Sequence, residues 1–143
     1  MIGVVHGGGG QADRTSEAFT EGLVEDGQRR CRETLDRLSL PLVTTWPAFT
    51  EAMYLLGRVG GARGHNALWA LVLSGRLELA DLSSGLVERA GGLMTKYADR
   101  QMALADATLV ALAEQRGTRR IFTLDADFHV YRLHGRRSFD VLP

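Results

Sequence analysis

Glu51 in TEAMYLL, Asp106 in LADATLVALAE, and Asp125 with Asp127 in IFTLDADF are acids set in apolar sequence. An ionised carboxylate in such surroundings is costly unless a positive charge or hydrogen-bond donors compensate it. A divalent cation is the simplest compensation. Two or three carboxylates converging on one point form a hard, oxygen-rich site suited to Mg²⁺ or Mn²⁺, ions that keep several waters and also hold phosphate oxygens. Such a metal lowers the pKa of a bound water and stabilises the charge of an in-line transition state, which is the chemistry of phosphodiester hydrolysis without a protein nucleophile. Taken singly, each acid also has an ordinary reading. Glu51 suits a solvated helix face, Asp106 a first helical turn favoured by the helix dipole, and Asp125 and Asp127 a turn after a strand.

The elements that must position these acids follow from the apolar spacing. Leu42 to Thr45 has strand composition, and Pro47 then opens a helix to Val59, with Phe49, Met53 and Leu56 on one stripe and Gly60 and Gly61 as its stop. Glu51 falls on the neighbouring stripe with Ala48 and Leu55. A helical stretch from Asn66 to Leu73 ends near Gly75, Leu77 to Leu82 reads as a strand, and Ser83 or Ser84 caps a helix toward Tyr97. Asp106 begins a helix that Gly117 ends, with Ala105, Leu109 and Leu112 on one stripe. Arg120 to Leu124 is an apolar strand with Asp125 at its carboxyl end, where ligands gather in open parallel sheets, and Phe139 to Leu142 is a last short strand. The alternation implies an α/β domain. Nearer the start, Met1 to Val5 has the composition of a very short strand, and Thr15 to Leu38 that of a helix broken near Gly27.

At 143 residues the chain fits one domain. Lys plus Arg equals Asp plus Glu at 17 each, which excludes the global positive charge of many nucleic-acid binders. A local basic patch remains open, because Arg116, Arg119, Arg120, Arg132, Arg136 and Arg137 crowd toward the end. Cys31 is alone, so an internal disulfide and a thiolate metal cluster are excluded, and a half-buried helix position is expected. No apolar run approaches the length of a spanning helix and no secretory signal is visible, which implies a reducing, cytoplasmic setting. The Gly7 to Gly10 run lacks the Gly-Lys-Ser/Thr of a phosphate loop, and His6, His65, His129 and His134 have no metal-ligand spacing. Trp46 and Trp69 are candidates for stacking on bases, with buried packing the commoner role.

The order of the acids is more telling than any one spacing: one on an early helix, one opening a late helix, then Asp-x-Asp-Phe after a strand. Here the chain resembles the PIN-domain ribonucleases, particularly the VapC-like toxins of type II toxin–antitoxin pairs, through TEAMYLL, KYADRQMALADATLVALAEQRGTRRIFTLDADFHVYR and the terminal SFDVLP. The resemblance covers about residues 31 to 143, and Met94 to Arg132 is its most specific block. It implies a three-layer α/β/α fold with a central parallel sheet, spanning residues 1–143 as one domain, and a Mg²⁺- or Mn²⁺-dependent endoribonuclease site. By position Glu51 matches the family's second acid, Asp106 its third, and Asp125 or Asp127 its variable fourth. Lys96 and Arg100, preceding Asp106, stand where they could reach a scissile phosphate. Family likeness also implies a small antitoxin partner and a homodimer.

The departure lies in residues 1–30. Family members open with an apolar strand running into an Asp that is a principal metal ligand, whereas MIGVVHGGGGQADRTSEAF lacks that motif. Either the first strand has been replaced or misread by a change of reading frame near residue 30, or Asp13 serves as a displaced first acid. The loss would remove the middle of the sheet and expose strand edges. Two functions therefore compete: an active endoribonuclease, and a catalytically impaired module kept for antitoxin binding or self-association. A nucleotide-sugar transferase reading of Leu124 to Phe128 is weaker, since only 16 residues follow Asp127 and leave no room for an acceptor region.

Overall fold

A computed structural model describes residues 29–31, 33–34, 36–38 and 41–143. The expected opening strand, Asp13 and most of the first helix lie outside the described residues. Residues 29–31 and 33–34 are helical, with Cys31 half-buried there as expected.

Strand β1 (Leu42–Thr45) runs straight into helix α1 (Trp46–Leu73), and Thr45 makes the junction. Its backbone is extended and its hydroxyl accepts from the Ala48 N–H, while Pro47 in the first turn needs no hydrogen-bond acceptor. The glycines expected to stop this helix instead fold it. Gly61 leaves the helical region at φ 53° and ψ −139°, and helical bonding resumes at once on its far side. The two arms pack back on each other, with His65 Nε2 3.1 Å from the Met53 carbonyl and the Phe49 and Trp69 rings edge to face at 5.0 Å. A Cβ on Gly57 would lie 2.3 Å from His65 Nε2, so glycine there permits the close approach. Leu42, Phe49 and Leu77 form a small core between this hairpin and the first strand pair, lined by Met53, Leu68 and Leu71.

Strand β2 (Leu77–Ala80) pairs in parallel with β1, Leu42 opposite Leu77. Ser83 caps α2 (Ser84–Lys96), which a short 3₁₀ turn, Ala98–Arg100, follows. Helix α3 (Leu104–Arg116) is the centre of the molecule. Sequence spacing suggests one apolar stripe, but Ala105 and every residue from Ala107 to Ala113 are buried. A helix apolar all round belongs in an interior, and its alanines let neighbouring backbones approach closely. Gly117 ends it at φ 65°, as expected.

Strand β3 (Arg120–Phe122) pairs in parallel with β6 (Asp140–Leu142), while β4 (Arg132–Leu133) and β5 (Arg137–Ser138) form a small antiparallel hairpin. Helices and parallel strands make the expected α/β fold. Among the described residues the parallel strands stand as two separate pairs, β1–β2 and β3–β6, rather than one continuous sheet. No helix of the described residues is long and apolar enough to cross a membrane.

Near the end of α3, Glu114 clamps three elements. Its side chain is only 6% exposed, receives two hydrogen bonds from Arg89 of α2 at 2.7 and 2.9 Å, and accepts the His134 N–H at the β4–β5 turn. Burial alone would raise its pKa, but the Arg89 hydrogen bonds, the His134 N–H and the Arg89 charge outweigh it and hold the carboxyl below its ordinary value. A depressed carboxylate stabilises the fold in full above the ordinary value of 4.5, and that contribution is lost as pH falls through the lower folded value. Arg89 is 41% exposed and solvent-screened, so Glu114→Gln is expected to cost only about 1 kcal/mol at pH 7. In urea unfolding the gap between the two proteins should close as the pH is brought down through that lowered folded value. A constant gap would mean that shape, not charge, makes the clamp.

Candidate active site

The carboxyl end of β1 and the first turns of α1 and α3 meet at one place because hydroxyls tie them together. Thr45 Oγ1, at the junction of β1 and α1, lies 2.8 Å from Thr108 Oγ1, and Thr108 donates to the Ala105 carbonyl at 2.9 Å. Both threonines are fully buried, so this relay fixes the start of α1 against the start of α3. Glu51 is half-buried in the second turn of α1, and Asp106 is half-buried in the first turn of α3.

A second device folds the segment after β3. Thr123 Oγ1 accepts the Asp125 N–H at 3.0 Å, and Asp125 Oδ1 accepts the Asp127 N–H at 2.9 Å, capping the 3₁₀ turn Ala126–His129. The structural reading of Asp125 is therefore true, and it leaves a carboxylate capable of more than one contact. Phe128, fully buried, anchors the turn between Tyr131 at 5.3 Å and Phe139 at 5.5 Å.

These two acidic segments converge on Tyr131. Its side chain is buried, and its hydroxyl donates to Asp106 Oδ2 at 3.4 Å. Burial, followed by the negative charges of Asp106, Asp127 and Asp125, pushes the phenol well above its ordinary value, so the hydroxyl remains a proton donor at any physiological pH. Of the predicted acids, Asp106 contacts this hydroxyl, and the charges of Asp127 and Asp125 act on it as well. Arg100 stands at the rim, with Nη1 3.8 Å from Asp127 Oδ1. Lys96 is directed elsewhere: its ammonium lies over the Tyr97 ring at 5.1 Å and beside Gly135 of the β4–β5 turn.

The donor chemistry suits a hard cation, since Mg²⁺ is commonly held by one or two carboxylates, water and substrate phosphate rather than by a full protein cage. Among the described residues no group of three or more His, Cys, Asp or Glu has the geometry to enclose a metal. Asp106 and the Asp125–Asp127 turn, joined through Tyr131, carry carboxylates of that donor type.

The sequence pattern that defines the PIN domain matches residues 19–133. The chain belongs to the PIN-domain family. Among its relatives, ribonuclease VapC26 of Mycobacterium tuberculosis (strain ATCC 25618 / H37Rv) is 33% identical over 112 residues, covering 78% of this chain and 83% of that protein. The crystal structure of M. tuberculosis VapC20, a sarcin-ricin-loop-cleaving toxin, superposes with a TM-score of 0.64 at 25% identity, over 78% of this chain and 82% of that one. This is therefore a VapC-like PIN domain, and the α/β architecture inferred from the acid series is that of its relatives.

Sequence reasoning missed two contributors to this PIN site, Tyr131 and the Thr45–Thr108 pair, and misassigned Arg132. The last was counted as a possible phosphate contact, yet its Nη1 donates to the carbonyls of His129, Val130 and Tyr131 at 2.8 to 2.9 Å. Arg116 and Arg119 are likewise engaged, with Glu78 at 2.6 Å and Asp140 at 2.9 Å. Arg120, Arg136 and Arg137 remain exposed. Trp46 and Trp69 are 45% and 40% exposed, each edge-on to Phe49, so both pack on the core without being buried in it.

Proposed function

We propose that this protein is an endoribonuclease of the VapC toxin type, hydrolysing RNA phosphodiester bonds with Mg²⁺ or Mn²⁺. The observation that carries the reading is that Tyr131 joins the two acidic segments, its hydroxyl on Asp106 Oδ2 and its ring on Phe128 of the Asp125–Asp127 turn. Asp106 and Asp125 act as principal metal ligands, Glu51 contributes from α1, and Asp127 sits at the rim with Arg100. A bound divalent cation supplies an activated water and stabilises developing negative charge. Asp13 is the candidate for the first acid. Arg100, already at the acidic rim, provides a planar fork for the substrate phosphate. A small antitoxin and a second copy of the chain are the proposed protein partners, and the cytoplasm is the proposed setting.

The test is cleavage of a structured RNA by the full chain with Mg²⁺ or Mn²⁺ and with excess EDTA. Chelation is expected to lower the rate by at least about 100-fold. Cleavage that persists in EDTA overturns metal dependence. The lack of a three-acid enclosure among the described residues favours one second reading, an impaired PIN module retained for its antitoxin. That module would cut no RNA with either metal and show no saturable Mn²⁺ binding, yet hold its antitoxin tightly.

A further inference from the structure

The two acidic segments of the site come from distant parts of the chain, and nothing in helix α3 or in the Asp125–Asp127 turn alone sets their separation. Tyr131 touches both. Its hydroxyl contacts Asp106 Oδ2 at 3.4 Å, and its ring packs edge to face on Phe128, the anchor of the acidic turn. The backbone of Tyr131 is itself tied to that turn, its N–H donating to the Asp127 carbonyl at 3.0 Å.

The side chain has little freedom. Tyr97, at the end of α2, meets the Tyr131 ring edge to face at 5.1 Å and accepts the Arg132 N–H on its own hydroxyl at 3.2 Å. Arg132 closes the other side by donating to the carbonyls of residues 129, 130 and 131. A phenol held by two rings and a guanidinium-tied backbone is a rigid donor, and a rigid donor restricts the carboxylate it meets. A Phe in its place would fill the same core volume and leave Asp106 without that donor. The polar atom is therefore dispensable for packing, and its placement against an acid calls for another role.

The geometry points to Tyr131 as a positioning residue that sets the Asp106 carboxylate relative to the Asp125–Asp127 turn for divalent-metal binding. It touches no substrate and acts through Asp106. The assignment rests on the proposed metal site, so its test must separate the two.

Mn²⁺ binding to the full chain, followed by electron paramagnetic resonance, is compared among the wild type, Tyr131→Phe, Asp106→Asn and the double variant, alongside thermal melting and RNA cleavage. Tyr131→Phe is expected to melt within a few degrees of the wild type, to bind Mn²⁺ about 10-fold more weakly, and to recover most of its cleavage at raised Mn²⁺. The double variant should bind no more weakly than Asp106→Asn. If Tyr131→Phe also melts early, the double variant decides: non-additive losses in Mn²⁺ affinity support positioning, and additive losses assign Tyr131 to packing and overturn it. Unchanged Mn²⁺ affinity in Tyr131→Phe, with loss in Asp106→Asn, overturns the positioning role and leaves the metal site standing. Unchanged affinity in Asp106→Asn removes Asp106 as a ligand and the positioning role with it.

Discussion

Asp106→Asn is expected to reduce RNA cleavage by about 1000-fold, equivalent to about 4 kcal/mol of transition-state stabilisation, while the melting temperature stays within a few degrees. The substitution keeps the shape of the side chain, and the amide oxygen still accepts from the Tyr131 hydroxyl. What disappears is the negative charge that the buried phenol of Tyr131 meets directly. The loss to the folded state is the favourable interaction of Asp106 with the positive end of α3, typically about 0.3–1 kcal/mol. A melting temperature within a few degrees of the wild type is therefore expected in EDTA, and the wild type should pull ahead with saturating Mg²⁺, which stabilises only the protein that binds it. Cleavage at the wild-type rate would exclude Asp106 from the chemistry.

The elements carrying strong local signals were the ones legible in the sequence. Asp106 opens a helix that Gly117 closes, and Ser83 caps the helix before it, because caps and apolar periodicity are local properties. Gly60 and Gly61 misled for a related reason. Glycine marks a break in helical backbone, but whether the chain then stops or folds back depends on the packing of Phe49 against Trp69 and His65 against Met53, which no local window contains. The acids were identifiable from their apolar settings and their order. Tyr131 was not, since an aromatic three residues after Phe128 reads as core, and only the fold brings its hydroxyl to Asp106, 25 residues earlier. Arg132 shows the converse. Its charge suggested a phosphate contact, whereas three nearby carbonyls hold it. Counting charges along a chain cannot separate a cation that faces a ligand from one that ties a loop.

Phe128→Ala is the substitution expected to cost most in stability, about 3–5 kcal/mol, a large part of the 5–15 kcal/mol typical of a domain. The ring has no exposed surface and lies between Tyr131 and Phe139, so truncation leaves a cavity bounded by two rigid aromatic groups that cannot close over it. Its melting temperature should fall by about 10 °C. The same cavity lies under the turn that carries Asp125 and Asp127, so activity should fall by more than the unfolded fraction explains. Phe139→Ala supplies the control. Phe139 is also buried and contacts Phe128 from the other side, but it belongs to the segment entering β6 and not to the acidic turn. Measured well below both melting temperatures and scaled to the folded fraction, cleavage by Phe139→Ala should stay within about 3-fold of the wild type, while Phe128→Ala loses at least about 10-fold. Equal losses would mean that the acidic turn keeps its place without its anchor, and that the aromatic cluster supports the fold but not the geometry of the carboxylates.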